Sequence, residues 1–216
     1  MPGTKRTSTH LSATAEDMQQ LTDGTLTIFY WTACKSFWGR AIGVVLTLNH
    51  AGKKMGTDYV IKEPKEAPAD KGAAFPQVTL ANGMTIAQTP AILDVLGESL
   101  GLNGETLEEK ILCKQYILDL TDVFGEAQSG KMTEKPERAA KWFTLLESRL
   151  EARGTRFFLG DEPTVVDFYA VFVFAWVDQK QVPFDAYAKL TQWWKDVKEV
   201  QVVKDMVNSG IKLIPS

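Results

Sequence analysis

Residues 75–96, FPQVTLANGMTIAQTPAILDVL, constrain the fold more than any other stretch of the chain. Asn82-Gly83 falls between two short β-type runs, 77–80 and 84–87. Both residues tolerate positive φ, so the segment predicts a β-hairpin. A helix opens directly afterwards at Gln88-Thr89-Pro90. Thr89 suits its N-cap, and Pro90 suits the first helical position, where the missing N–H costs nothing. Such a helix start presents free backbone N–H groups and the positive end of the dipole. It is a ready carboxylate or phosphate site, with the Thr89 hydroxyl and the Gln88 amide beside it. The same spacing also fits an ordinary capped helix.

Upstream, residues 26–31 (LTIFYW) are β-branched and aromatic and predict a buried strand. A broadly apolar helix over 38–50 follows, closed by Gly52, and then a shorter strand over 57–63. The Pro-, Ala- and Lys-rich stretch 64–74 reads as a mobile connection. Strand–helix–strand followed by hairpin–helix implies a mixed sheet with helices against it. The polar residues 1–24 lack the apolar stretch of a secretory signal and read as a flexible tail. Residues 97–106 carry Gly97, Gly101, Asn103 and Gly104 and read as a linker.

Beyond the linker the pattern is helical throughout: 107–128, a helix starting at Pro136, one after Thr164-Val165-Val166-Asp167, and one over 190–207. The Thr-x-x-Asp box caps a run that is apolar nearly all round, which predicts the central helix of a second domain. The expected organisation is a tail over 1–24, an α/β domain over 25–98 and an all-α domain over 106–216.

Composition excludes several functions. A net charge of -3 with no block of Lys or Arg argues against nucleic acid as a partner. The longest apolar run, 165–177, is interrupted by Asp167 and is too short to span a membrane. Cys34 and Cys113 form neither a CxxC pair nor a metal-ligand spacing, so no metal is expected, and a reducing, cytoplasmic compartment is.

Three segments together resemble the glutathione transferase family: NGMTIAQTPAIL (82–93) its glutathione-site segment, GRAIGVVLTLNHAG (39–52) its first helix, and FFLGDEPTVVDFYA (157–170) the signature of its second domain. The resemblance implies a thioredoxin-like first domain, an all-helical second domain and a homodimer. It places Pro76 at the family's cis-proline, which exposes the Phe75 backbone N–H and C=O to pair with an extended ligand. Glutathione, the implied co-substrate, would set its γ-glutamyl carboxylate on Thr89 and the helix terminus, with Gln88 adjacent and Lys71 (or Lys65) toward its glycine carboxylate. The implied activity is detoxification: conjugation of the glutathione thiol to a hydrophobic small-molecule electrophile. Isomerisation, peroxide reduction or thiol transfer at the same site are alternatives, as is a non-catalytic binding module.

The chemistry needs little. A thiol with a pKa near 8.5 is only about 3% thiolate at pH 7, and lowering that pKa by about two units takes roughly 2.7 kcal/mol. One charge-assisted hydrogen bond contributes about 1.5–3 kcal/mol, so a single hydroxyl suffices in scale. Three residues are candidates: Tyr30 at the end of the first strand, Ser36 before the first helix, and Cys34, which would run thiol–disulfide chemistry instead. Each also has a plain structural role available, as a core aromatic, an N-cap or a buried thiol. Asp119 and Asp122 resemble acids that approach a partner's glutathione, and Phe37, Trp38 and Trp142 could line an apolar pocket. Arg40 reads as a structural contact and His50 as a helix-end cap.

Overall fold

The computed structural model describes residues 14–31, 36–70 and 72–214. Four strands form one sheet in the order β2-β1-β3-β4. They are β1 (Leu26–Phe29), β2 (Tyr59–Lys62), β3 (Gln77–Thr79) and β4 (Thr85–Ala87). β1 runs parallel to β2 and antiparallel to β3, and β3 and β4 form the predicted hairpin. Asn82 supports its turn by accepting the Met84 N–H at 2.9 Å.

The first domain also carries α1 (Ala15–Gln19), α2 (Ile42–His50, preceded by a 3-10 turn Gly39–Ala41) and α3 (Thr89–Leu100). α2 is buried along Ile42, Val44, Val45, Leu46 and Leu48, as an apolar helix against a sheet must be. α1 lies in the stretch read as a tail. Thr14 and Asp17 form a capping box around it, and just after it Ala81 donates its N–H to the Leu21 carbonyl at 3.0 Å. A five-residue helix that buries no residue leaves no apolar period to read.

The second domain contains α4 (Leu107–Gln128), α5 (Lys131–Glu134), α6 (Pro136–Arg153), α7 (Val165–Gln179), α8 (Ala188–Lys198) and α9 (Gln201–Asn208). α7 is the central helix, buried from Val165 through Ala175. Asp167 is 0% exposed and accepts from the Thr164 N–H and hydroxyl, the Phe158 N–H and the Trp193 indole. Burial pushes its carboxyl above the usual range, against the pull of those four donors. α7 also joins the two domains: Gly43 of α2 packs directly on the Tyr169 backbone.

Three sequence expectations change. α3 runs on to Leu100, so the linker begins four residues later than its glycine at 97 suggested. The predicted 190–207 helix is two helices, broken at Val200, whose backbone is extended and whose β-branched side chain is a weaker helix former. The 64–74 connection holds a 3-10 turn (Pro64–Glu66) closed by a Glu63–Glu66 capping box.

Candidate functional site

The sheet register brings the residues singled out in the sequence to one edge. Phe29 pairs with Gln77, and Gln77 with Ala87. One residue further along each strand lie Tyr30, Pro76 and Gln88, a row across β1, β3 and β4. Neighbouring strands are about 4.8 Å apart, so the row spans roughly 10 Å. That is the length of about three extended residues.

Tyr30 is buried, and its hydroxyl accepts the Arg40 backbone N–H at 3.2 Å. Gly39, with φ +46°, lies so close to that hydroxyl that no Cβ fits between them. Trp31 is 46% exposed, and its ring stands edge-on to both Tyr30 and Phe75, at 4.9 and 5.4 Å between centroids. Phe75 is half-buried and Pro76 buried, joined by a cis bond. Among the described residues none hydrogen-bonds the Phe75 backbone.

The helix start differs by one residue from the expectation. Gln88, not Thr89, is the N-cap of α3, and Thr89 is the first helical residue. Gln88 is exposed at φ +74°, an unfavourable conformation for a residue with a side chain. No side chain caps the helix. Thr89 is 4% exposed.

Other candidates scatter. Ser36 is exposed, and its carbonyl accepts the Lys212 N–H, tying the loop before α2 to the chain after α9. Cys34 and Lys71 lie outside the described residues; Lys65 is exposed in the 3-10 turn. Cys113 is a free thiol that burial pushes up to about 12. Asp119 is engaged by Arg149 of α6, whose guanidinium also covers the Tyr116 ring, while Asp122 is exposed. Trp38 lines a groove with Val202 and Met206 instead of facing the row. Trp142 buries an indole N–H with no partner among the described residues. His50 packs at a tilt against Phe168, and burial lowers its pKa despite Glu162 nearby. Among the described residues no cluster of His, Cys, Asp or Glu could hold a metal, and no helix is long and apolar enough to cross a membrane.

Two residues given no such part in the sequence belong to the site. Trp31 joins Tyr30 to Phe75. Arg40 lies exposed, with its guanidinium 4.8 Å from the centre of the Phe124 ring on α4. Its charge reaches Tyr169, opposing the rise that burial imposes there. It therefore puts a cation where the two domains meet.

A cleft of about 510 Å³ opens from Gln88 between α3 and α4, lined by Pro90, Asp94, Lys114 and Leu118 among others. A larger one, about 610 Å³, lies at the far end of α2 beside His50, Glu109 and Arg153 and touches no residue of the row. Size does not outweigh chemistry here: the larger cleft's arginine is already paired with Glu109.

Residues 119–199 match the family model for the glutathione S-transferase C-terminal domain. Mouse glutathione S-transferase A1 is 28% identical over 130 residues, covering 54% of this chain and 56% of that protein. Bovine glutathione S-transferase A4 is 23% identical over 194 residues, 82% of this chain and 87% of its own length. The fold is shared with a Nu-class GST from Haemonchus contortus (TM-score 0.69, 17% identity, covering 87% of this chain and 98% of that one). It is shared likewise with the glutathione S-transferase from Ascaris lumbricoides (TM-score 0.67, 21% identity, 87% and 97%). A matched helical domain, related sequences reaching into both domains and a common fold make the chain similar to the glutathione transferases.

Proposed function

We propose that the protein is a glutathione transferase that lays reduced glutathione along the Tyr30–Pro76–Gln88 row and activates its sulfur with the Tyr30 hydroxyl. The observation that carries this reading is the start of α3, which no side chain caps, with exposed Gln88 at φ +74° beside it. Free N–H groups at the positive end of a helix dipole favour a carboxylate. The γ-glutamyl carboxylate sits there, the peptide backbone pairs with Phe75, and the sulfur reaches Tyr30 at the other end of the row. Lys71, beyond the described residues, takes the glycine carboxylate.

Tyr30 donates a hydrogen bond to the thiolate. One such charge-assisted bond, about 1.5–3 kcal/mol, matches the roughly 2.7 kcal/mol that a two-unit fall in thiol pKa requires. A hydrophobic electrophile enters between the domains near Phe124, and proximity accounts for the rest of the rate. Ser36 is the alternative hydroxyl, but it is exposed and held through its backbone to Lys212. Detoxification in the cytoplasm fits this chemistry and the free thiol at Cys113.

A homodimer completes the reading. Leu107, Ile111 and Leu118, at spacings of four and seven, form an exposed apolar stripe on α4, each more than half exposed. A second copy is the occupant that the related enzymes suggest.

Calorimetry with reduced glutathione, followed by conjugation of an activated aryl halide, tests the function. Wild-type protein should bind and turn over, and Thr89→Val should weaken binding about tenfold for one lost hydrogen bond to a charged group. Binding without turnover would leave a binding module, and no heat of binding would end the proposal.

A further inference from the structure

Gln77 is out of place for a residue of β3. It is 1% exposed, between Phe29 and Ala87 on neighbouring strands, where an apolar side chain is the ordinary choice. Its amide nitrogen donates to the Gly72 carbonyl at 2.7 Å, and its amide oxygen is buried with no partner among the described residues. A half-satisfied buried amide costs more than an apolar residue of the same shape. The hold on Gly72 is what that amide provides.

Gly72 is fitted to this contact. Its φ of +143° is open to glycine, and a Cβ there would come within 2.8 Å of the Ala87 Cβ. The Gly72 backbone therefore rests on Ala87 while Gln77 grips its carbonyl, one row behind Tyr30, Pro76 and Gln88. Only Ala73 and Ala74 separate this point from Phe75.

We infer that Gln77, Gly72 and Ala87 form a latch that fixes where the Phe75 backbone meets an extended ligand, which makes Gln77 a positioning residue for thiol-peptide binding. The inference rests on the glutathione reading for its ligand but not for the latch itself. Gln77 touches neither sulfur nor electrophile in this arrangement, so it acts on binding and not on the chemical step.

The test compares wild type with Gln77→Leu, which keeps the bulk and removes both polar atoms. Without ligand, deuterium exchange at the amides of 72–75 should rise while exchange in α7 stays as it was. With glutathione and an aryl halide, KM for glutathione should rise about tenfold, with kcat at saturation nearly unchanged. Should Gln77→Leu fail to fold, Gly72→Ala, in an exposed segment, tests the same latch and should give the same pair of shifts. Unchanged exchange together with unchanged KM overturns the inference, and so does a fall in kcat alone. If wild-type protein shows no glutathione affinity, the functional reading fails, and the exchange comparison still decides the latch.

Discussion

The Arg40 backbone N–H donates to the Tyr30 hydroxyl at 3.2 Å, which links the end of β1 to the turn that starts α2. A tyrosine hydroxyl both accepts and donates, and this one accepts from the Arg40 backbone at the end of the row it shares with Pro76 and Gln88. Gly39 makes the contact possible through its positive φ and its missing Cβ. Gly39→Ala should displace Tyr30 and lower turnover on the order of a hundredfold, as small misplacements of catalytic groups do. Circular dichroism should remain native; turnover at the wild-type rate would remove Tyr30 from the mechanism.

Asp167 collects four donors inside the second domain and ties α7 to both Phe158 and Trp193. Replacing it by Ala strands those donors in the core. Asp167→Ala should cost about 3 kcal/mol or more, read from the urea midpoint, or prevent folding altogether. A loss below about 1 kcal/mol would mean that water replaces the carboxylate.

Glu126 clamps α4 to α5 and α6 through Arg138 and Lys131. The Arg138 hydrogen bonds, first among the causes, hold its carboxyl down from 4.5 to about 2. A depressed carboxylate pKa contributes stability above the unfolded value that is lost as the pH falls through the folded one. Glu126→Gln should therefore melt lower than wild type at pH 7, and the gap should close between pH 4.5 and about 2. A gap that persists below pH 2 would assign the effect to packing.

The apolar stripe on α4 makes the assembly testable. Wild type should sediment at twice its 24.0 kDa, and Leu118→Glu should shift it toward the monomer. Sedimentation of the wild type as a monomer would leave the stripe without an occupant.

Much of the fold is legible because its signals are local. Asn82-Gly83 announces the hairpin, Pro90 and Pro136 mark helix starts, and the Thr164–Asp167 box announces α7. α1 escapes because one turn of helix without a buried face has no period, and the break at Val200 escapes because apolar spacing continues across it. Within the site, Phe75, Pro76, Gln88 and Thr89 stand out because they lie in one short segment. That Tyr30, Pro76 and Gln88 form a row depends on strand register, which no single segment carries. The contacts of Trp31 with Phe75, of Arg40 with Phe124 and of Asp167 with Trp193 join residues 26 to 84 positions apart, beyond the reach of local patterning.

The central claim is that one end of this sheet holds a thiol peptide as its anion. Ultraviolet titration of the thiolate of glutathione bound to the wild-type protein tests it most directly. The account predicts an apparent pKa about two units below the usual 8.5, moving back toward that value in Tyr30→Phe and staying low in Ser36→Ala. A bound thiol that titrates near 8.5 in the wild type, or one that Tyr30→Phe leaves unmoved, would contradict it.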